Sequence, residues 1–205
     1  MTDRRLYLDL KSPYAYLAKD PARQLEQRFG FAFRWLPYTL RIPEFLGTPE
    51  DRNAHQWRRV RYSYMDARRA ANERGLVILG PQKIFDTSLA HIGWLYAERT
   101  GPAVRARYLD LAFERFWKRE LAIEDAGAIA QTLAEAGADA AGFAPYLAGS
   151  GRAAYEAVLN EAEAMGVFGV PMFVLDGELI WGQDRLSLVV DRLSGKGPAP
   201  PARVR

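Results

Sequence analysis

The chain has 205 residues, of which 49% are hydrophobic and 26% charged, and its formal net charge is +3. This composition is typical of a globular protein with a substantial core, and so small a charge does not indicate a nucleic-acid partner. No apolar run approaches the ~18 residues of a membrane span, and residues 1–5 lead directly into a predicted strand rather than a signal sequence. We therefore expect a cytoplasmic protein that binds no membrane.

The sequence contains no cysteine, and its imidazoles are limited to His55 and His91. The lack of cysteine excludes disulfides, thiolate metal sites and redox chemistry by the protein's own sulfur. Two histidines without a recognisable spacing of carboxylate partners do not indicate a zinc site. We therefore expect no metal centre.

The first strand is predicted by the period-two alternation of apolar and polar residues over positions 6–11. The alternation stops at Ser12, which is predicted to cap a helix that begins at Pro13 and ends before Gly30. A helix N-terminus carries free N–H groups and a partial positive charge, so it stabilises a bound anion. Ser12 is therefore either a simple helix cap or part of an anion site, and this stretch leaves both interpretations open.

A second alternation over residues 31–36 predicts another strand, and strand–helix–strand order favours parallel pairing with a right-handed crossover. A loop rich in proline and glycine follows, and then a predicted helix over residues 54–74. Arginines outnumber acids between Asp51 and Gly75. Such a run indicates a solvent-exposed helix face or, alternatively, an electropositive wall for an anionic small molecule, with a nucleic-acid surface as a third and less favoured alternative.

Further helices are predicted over residues 87–99, 102–119, 125–136, 142–148 and 152–165. The pattern then changes to two short apolar strands joined by Asp176-Gly177, a strong hairpin signal. Gln183 or Asp184 is expected to cap a last helix that runs to Leu193. The Gly/Pro-rich residues 195–205 are expected to form a flexible tail, or else an arm that packs on a partner chain.

A βαβ unit at the front and a ββα unit at the back form an α/β thioredoxin-like fold if the helical block is an insertion. We predict a thioredoxin-like domain from residues 1–50 and 166–194, an inserted all-helical domain from residues 51–165, and a tail from residues 195–205. In this fold the start of the first helix faces the residue before the third strand across a cleft. Val170-Pro171 occupies that second position, and the sequence leaves the cis or trans state of this bond open.

The motifs Ser12-Pro13-Tyr14, Phe-Gly-Val-Pro at 168–171 and Trp-Gly-Gln-Asp-Arg at 181–185 make the chain similar to a known family. It resembles the 2-hydroxychromene-2-carboxylate isomerases and their relatives, the kappa-class glutathione transferases, in the DsbA-like branch of thioredoxin-fold proteins. The resemblance extends over residues 6–193 in motif order and spacing. It implies a DsbA-like fold with an inserted helical domain, glutathione as cofactor and a homodimer.

The resemblance also implies roles for individual residues. Ser12 corresponds to the catalytic serine that replaces a redox cysteine and contacts the sulfur of glutathione. Val170, before Pro171, corresponds to the residue whose backbone pairs with the cysteinyl part of glutathione. Gln183 and Asp184 correspond to the pair that holds the γ-glutamyl end.

Two further residues are implied to bind the cofactor, although the chain departs from the family pattern around them. Asn53 corresponds to an asparagine that binds the glycyl end, in a loop of different length. Arg59 stands where relatives commonly have lysine, which keeps the charge and changes the geometry. Lys11 replaces a small or apolar residue and is expected to place a cation beside the thiolate site.

The function that this resemblance implies is glutathione-dependent cis–trans isomerisation of 2-hydroxychromene-2-carboxylate or a similar aromatic ring-cleavage product. A kappa-like transferase or peroxidase would use the same site but consume the thiol. A non-catalytic thioredoxin-fold binding protein is another alternative, and a serine hydrolase would need His55 or His91 as a base for Ser12. The absence of cysteine excludes a disulfide oxidoreductase.

Overall fold

The protein is described by a computed structural model that covers residues 3–196. Its centre is one four-stranded sheet in the order β2-β1-β3-β4, formed by β1 (Arg4–Leu8), β2 (Arg34–Pro37), β3 (Met172–Leu175) and β4 (Glu178–Trp181). Strand β1 pairs in parallel with β2 and antiparallel with β3, which pairs antiparallel with β4. The two ends of the chain therefore share one sheet, and the predicted thioredoxin-like fold is confirmed.

Helix α1 (Pro13–Phe29) connects the two parallel strands and has the predicted bounds. Ser12 is its N-cap, and Gly30 ends it in the left-handed region at φ 65°, which glycine adopts without a steric penalty. Strand β2 starts at Arg34, three residues later than predicted. Residues 31–33 instead form a short connection without regular secondary structure, in which the rings of Phe31 and Phe33 pack edge to face.

The central strand β1 is shorter than the alternation predicted, because it ends at Leu8 and the following residues form a turn. Leu6, Tyr7 and Leu8 are all fully buried. Since successive side chains of a strand point to opposite faces, both faces of the sheet are covered at β1. The alternation of apolar and polar residues therefore does not correspond to a buried face and a solvent-exposed face. The polar residues in it also lie in the interior.

The remaining helices are mostly within a few residues of their predicted bounds. In chain order they are α2 (Ile42–Leu46), α3 (Ala54–Asn72), α4 (Ser88–Thr100), α5 (Pro102–Trp117), α6 (Ala126–Ala136), α7 (Ala140–Tyr146), α8 (Arg152–Ala164) and α9 (Leu186–Leu193). A π-helical segment, Leu147–Gly151, joins α7 to α8. The sequence did not predict α2, since it is a single short helix within the proline-rich loop.

The helical block has its own buried centre and also packs on the sheet. Helix α4 contacts α5, α6 and α8, while α8 contacts β2 and α3 contacts α1. The packing is close at Gly93, where a methyl group would come within 2.7 Å of Ile129 Cγ2. Helices α3 to α8 all lie between β2 and β3 in the sequence, and we propose residues 51–165 as the inserted domain on that basis.

The C-terminal hairpin turns at Asp176 and Gly177, both with positive φ (49° and 87°), so the predicted hairpin is confirmed. The Val170–Pro171 bond is cis. Gln183–Arg185 form a 3₁₀ turn, and α9 begins only at Leu186 with Arg185 as N-cap. The predicted capping of the last helix by Gln183 or Asp184 is therefore wrong, because Gly182 and the 3₁₀ turn move the helix start past both residues.

Most of the predicted tail, residues 197–205, lies outside the described residues. Within the described range, none of the helices combines the length and the apolar character needed to cross a bilayer.

Candidate functional site

Ser12 lies at the end of a tight turn that carries the chain from β1 into α1. Its N–H donates to the Asp9 carbonyl at 3.0 Å, and its Oγ accepts the Ala15 N–H at 3.2 Å. Its side chain is almost completely buried. Because the capping bond uses only a lone pair of the oxygen, the O–H remains able to donate to an anion at the helix N-terminus.

A cleft of about 350 Å³ lies beside the start of α1, where the loop before β3 and the segment after β4 meet. Its lining residues are Tyr14, Asp66, Val170, Pro171, Trp181, Gly182, Gln183, Asp184 and Arg185. Four residues predicted from the resemblance are thus brought together around one cavity although they come from separate motifs. Ser12 is not itself a lining residue, and it precedes the lining residue Tyr14 by two positions.

Val170 lines this cleft, and its backbone polar groups are unpaired within the described part of the chain. Its side chain is buried, but neither its N–H nor its C=O has a hydrogen-bond partner among residues 3–196. A buried backbone amide left without a partner is unfavourable. The position is therefore suited to a ligand that presents a peptide backbone, which supplies both a donor and an acceptor.

Asn53 and Arg59 are both on α3, and neither lines the cleft. Asn53 is the N-cap of α3 in a capping box with Gln56, with both hydrogen bonds at 2.9 Å. Its carbonyl oxygen is therefore engaged, and only its amide nitrogen is available to a ligand. Arg59 is exposed and precedes Asp66 by two helical turns, so the two residues share a face of α3 at a separation of ~10 Å.

Tyr14 and Asp66 are lining residues to which sequence reasoning assigned no role. The Tyr14 hydroxyl lies 3.1 Å from Asp66 Oδ2 and 3.3 Å from the Ser63 carbonyl, and it donates to one of them. Burial and this contact with a carboxylate raise the pKa of Tyr14 to about 12. The phenol is therefore a neutral donor at physiological pH. The available signal for Tyr14 was its place in the Ser-Pro-Tyr motif.

Trp181 forms an aromatic wall of the cleft. It belongs to the motif at residues 181–185, but the sequence analysis assigned it no role. Its side chain is 54% exposed and packs edge to face on Phe168, with ring centroids 5.0 Å apart. Gly169 allows this arrangement, because a Cβ there would lie 2.8 Å from the indole Nε1. The cleft therefore combines an aromatic surface with the guanidinium of Arg185 and two carboxylates.

Lys11 is directed into the protein interior. Its side chain is nearly buried, its Nζ donates to the Phe85 carbonyl at 3.2 Å, and the same atom lies 3.8 Å from Asp9 Oδ2. The expectation of a cation beside the thiolate site therefore needs correction, since the ammonium group lies in the interior near the Asp9 carboxylate and the Phe85 carbonyl.

The histidines do not complete a catalytic pair with Ser12. His55 is exposed at the start of α3. His91 is fully buried, with Nδ1 2.8 Å from Thr39 Oγ1 and Nε2 3.3 Å from Asp9 Oδ1. No hydrogen bond joins either ring to Ser12 within the described part of the chain, so the serine hydrolase interpretation lacks its base. The described residues also contain no group of three or more His, Asp or Glu arranged to hold a metal ion.

Comparison of the sequence with known proteins finds relatives named 2-hydroxychromene-2-carboxylate isomerase, the family that the sequence motifs resemble. A 2-hydroxychromene-2-carboxylate isomerase from Pseudomonas putida is 26% identical over 185 residues, which cover 89% of this chain and 90% of that protein. Isomerases of the same name from Pseudomonas sp. (strain C18) and Sphingobium xenophagum are 25% and 26% identical, and each comparison covers at least 89% of both proteins.

Comparison with solved structures also finds an isomerase of this name, together with other proteins of similar fold. A 2-hydroxychromene-2-carboxylate isomerase superposes with a TM-score of 0.78 at 25% identity and covers 94% of both chains. A probable DsbA oxidoreductase from Streptomyces coelicolor has a TM-score of 0.75 at 18% identity, covering 100% of this chain and 94% of its own. The cytosolic disulfide reductase DsbM from Pseudomonas aeruginosa, solved with GSH, has a TM-score of 0.59 at 16% identity, covering 93% and 98%. These last two show the fold alone.

The resemblance to the isomerases is therefore confirmed, and the cleft lies where residues from the N-terminal and C-terminal parts of the fold meet. The DSBA-like thioredoxin domain matches residues 5–194, which is nearly the whole chain. This protein belongs to the DSBA-like thioredoxin domain family.

Proposed function

We propose that this protein is a glutathione-dependent cis–trans isomerase of 2-hydroxychromene-2-carboxylate or a similar aromatic ring-cleavage product. The observation that carries the proposal is the capping hydroxyl of Ser12 at a helix N-terminus, next to a cleft lined by Val170, Gln183 and Asp184. Relatives named for this activity match about nine-tenths of the chain. Because the chain has no cysteine, a thiol at this site must come from a bound molecule.

The residues around the cleft fit glutathione. The unpaired backbone of Val170 suits the peptide backbone of the cysteinyl residue. Asp184 and Gln183 offer a carboxylate and an amide, which suit the ammonium and carboxylate of the γ-glutamyl end. When bound, glutathione would supply a thiolate that adds to and later leaves the conjugated substrate, so that a C–C bond can rotate. The cofactor would thus be regenerated in each cycle.

Ser12 and the α1 N-terminus would hold the sulfur in its ionised form. A free thiol of pKa ~8.5 is only ~3% ionised at pH 7, and a pKa of ~6.5 requires ~2.7 kcal/mol of differential stabilisation. A helix N-terminus contributes up to ~2 kcal/mol and a hydrogen bond to a charged group ~1.5–3 kcal/mol. The two groups together are sufficient, so Ser12 acts as a donor and not as the nucleophile.

The glycyl end of the cofactor would extend along α3. A three-residue peptide spans ~10–12 Å when extended, which is close to the ~10 Å between Asp66 in the cleft and Arg59 on the same face. Asn53 lies ~20 Å from Asp66 along the helix axis. Arg59 is therefore better placed for the glycyl end than Asn53, the residue predicted to bind it, and Asn53 contributes only if its amide nitrogen reaches inward from the start of α3.

An aromatic substrate with a carboxylate would use the remaining lining residues. The indole of Trp181 provides a stacking surface, and Arg185 provides a cation for the carboxylate. The neutral hydroxyl of Tyr14 provides a hydrogen-bond donor at the edge of the cleft. Cytoplasmic location and homodimer formation remain predictions, and the mass in solution from light scattering tests the second.

The experiment that tests the function follows substrate and cofactor together. Purified protein is incubated with 2-hydroxychromene-2-carboxylate and a catalytic amount of reduced glutathione, and both the trans-o-hydroxybenzylidenepyruvate formed and the free thiol remaining are quantified. An isomerase forms many equivalents of product per glutathione with the thiol conserved. Loss of thiol in step with turnover would instead identify a transferase or peroxidase. If calorimetry detects no binding at millimolar glutathione, a non-catalytic binding protein becomes the better account.

Asp184→Asn provides the matched variant for this assay. It keeps the size of the side chain but removes the charge proposed to hold the γ-glutamyl ammonium. We expect about a tenfold rise in the glutathione concentration needed for half-maximal rate, as a lost charged contact of ~1.4 kcal/mol implies. Asp191→Asn, a charge removal on α9 away from the lining residues, is the control and should leave that concentration unchanged.

A further inference from the structure

A buried polar cluster lies directly beneath the turn that carries Ser12. Asp9, Thr87 and His91 are each fully buried, and all three make hydrogen bonds or close polar contacts with one another or with the turn. Asp9 Oδ1 accepts from Thr87 Oγ1 at 2.8 Å and lies 3.3 Å from His91 Nε2. Isomerisation as proposed above makes no use of these groups, although burying a carboxylate is unfavourable unless every lone pair is satisfied.

The Asp9 carboxylate joins the Ser12 turn to another part of the fold. Its Oδ1 accepts the Lys11 N–H at 3.2 Å, and its Oδ2 accepts the Leu40 N–H at 2.8 Å. Its own carbonyl accepts the Ser12 N–H at 3.0 Å. A side-chain bond to the N–H two residues on, together with a backbone bond three residues on, defines the shape of a turn. One residue thereby determines where the main chain of Ser12 lies.

The cluster also connects the helical block to this turn. Thr87 is the residue before α4, and His91 is one turn into that helix. His91 Nδ1 lies 2.8 Å from Thr39 Oγ1, which in turn lies 2.6 Å from the hydroxyl of Tyr155 on α8. A continuous path of polar contacts therefore runs from α8 and α4 to the carboxylate that shapes the turn.

We propose that Asp9 is a positioning residue for Ser12, held in place by Thr87 and His91, so that packing of the helical block determines the placement of the catalytic hydroxyl. The inference rests on the proposed function for its enzymatic readout, because the group being positioned is the donor to the glutathione sulfur. It adds to that function a role for three buried residues that do not line the cleft.

A purely electrostatic role for Asp9 makes the opposite prediction. A negative charge near the sulfur disfavours a thiolate, so removing that charge would increase the ionised fraction of bound glutathione if charge alone mattered. If position matters, the same removal displaces Ser12 and decreases that fraction. The direction of change in Asp9→Asn therefore separates the two roles.

The main test uses a variant that changes no charge. Thr87→Val removes the hydroxyl that donates to Asp9 and retains the side-chain volume, while Thr87→Ser keeps the hydroxyl. Thr132→Val is the matched control, since Thr132 is also almost fully buried and its hydroxyl donates to the Ala128 carbonyl of its own helix, α6. Each protein is saturated with reduced glutathione at pH 7, and the thiolate is measured by its ultraviolet absorbance, alongside kcat and KM for the substrate.

For Thr87→Val we expect about a tenfold lower ratio of thiolate to thiol, equivalent to a rise of one unit in the pKa of the bound thiol, with kcat reduced and KM little changed. Thr87→Ser should restore the wild-type signal, and Thr132→Val should retain it. Asp9→Asn should also lower the thiolate fraction. An unchanged signal in Thr87→Val, or an increased one in Asp9→Asn, would overturn the positioning role.

Amide hydrogen exchange without glutathione distinguishes this inference from the function on which it rests. In Thr87→Val, and not in Thr132→Val, the Lys11 and Leu40 amides should exchange at least tenfold faster. If that occurs while wild-type protein binds no glutathione, the proposed function fails and Asp9 still positions the turn. Unchanged exchange of both amides refutes the positioning role whether or not glutathione binds.

Discussion

Replacing Ser12 with alanine tests two roles of one side chain at the same time. The first role is structural, since Oγ accepts the Ala15 N–H and caps α1. Loss of a serine cap costs ~1 kcal/mol, and in a protein of this size that lowers the midpoint of thermal unfolding by ~2–4 °C. The variant should therefore remain folded at assay temperature.

The second role is donation of the O–H to the glutathione sulfur. A hydrogen bond to a charged group contributes ~1.5–3 kcal/mol, so its loss should raise the pKa of the bound thiol by ~1–2 units. For a thiol at ~6.5 in the wild type, the ionised fraction at pH 7 would fall from roughly three quarters to between about a quarter and ~3%. Binding of glutathione itself should weaken much less, because the other predicted contacts do not involve Ser12.

The assay combines calorimetric titration with the ultraviolet absorbance of the thiolate across pH. Asp125→Ala is the matched control, because Asp125 caps α6 in the same way, accepting the Ala128 N–H at 2.7 Å, and is not a lining residue of the cleft. Both variants should lose similar stability, and only Ser12→Ala should lose the thiolate. If the thiol of bound glutathione titrates identically in wild type and Ser12→Ala, Ser12 is a helix cap only.

Other consequences of the structure are open to equally direct tests. Arg59→Ala should weaken glutathione binding about three- to tenfold by calorimetry, with a smaller effect at high salt. The neighbouring Arg58→Ala is the control and should leave glutathione binding unchanged. Equal effects of the two substitutions would argue against a glycyl site at Arg59. Gly93→Ala should lower the free energy of unfolding by urea by ~1–2 kcal/mol, because the new methyl group meets Ile129 Cγ2 at 2.7 Å and overpacking outweighs the gain in helix propensity. A variant more stable than wild type would contradict this close packing. Burial would raise the pKa of Asp9, but its polar contacts outweigh burial and hold that pKa below its ordinary value. The contribution of the Asp9 carboxylate to folding stability is therefore complete above the unfolded pKa of ~3.9 and is lost as pH falls through the native pKa. In urea unfolding, the difference in stability between wild type and Asp9→Asn should therefore shrink below pH ~4. A difference that stays constant with pH would refute this linkage.

Local features of the sequence were sufficient to predict most of the elements. Helix α1 was predicted with its observed bounds because Ser12, Pro13 and Gly30 act through backbone geometry within a few residues. The Asp176-Gly177 hairpin was equally clear, since both residues tolerate positive φ. Signals of this kind depend on near neighbours in the chain and need no tertiary contact.

The predictions from the sequence were wrong at residues whose environment depends on burial and not on local chain geometry. Asp9 and Lys11 appeared to be the polar members of an alternating strand, yet both lie in the interior, because β1 ends at Leu8 and the turn after it packs against distant segments that contain Phe85 and Thr87. Likewise, Asp184 looked like a helix cap from its residue type, but a 3₁₀ turn over Gln183–Arg185 moves the start of α9 to Leu186, two residues beyond Asp184. Neither outcome follows from residue order alone.

The candidate site shows the same division. Sequence motifs predicted Ser12, Val170, Gln183 and Asp184 through their resemblance to a known family, and three of these four line one cleft. The part played by Asp66 was not predictable, because it reaches the cleft only through the packing of α3 on α1 and its contact with the Tyr14 hydroxyl. Its distance from the other lining residues along the chain left no local signal.

By itself, then, the sequence determined the order and type of most of the elements, the absence of cysteine chemistry, and the motif that places a hydroxyl at the start of a helix. Those properties follow from backbone preferences and residue chemistry that act over a few positions. The tertiary structure alone decided that Asp9, Thr87 and His91 share one buried cluster and that Lys11 faces it. The reason is physical: a buried charge acquires its partners from whichever segments pack around it, and those segments are distant in the chain.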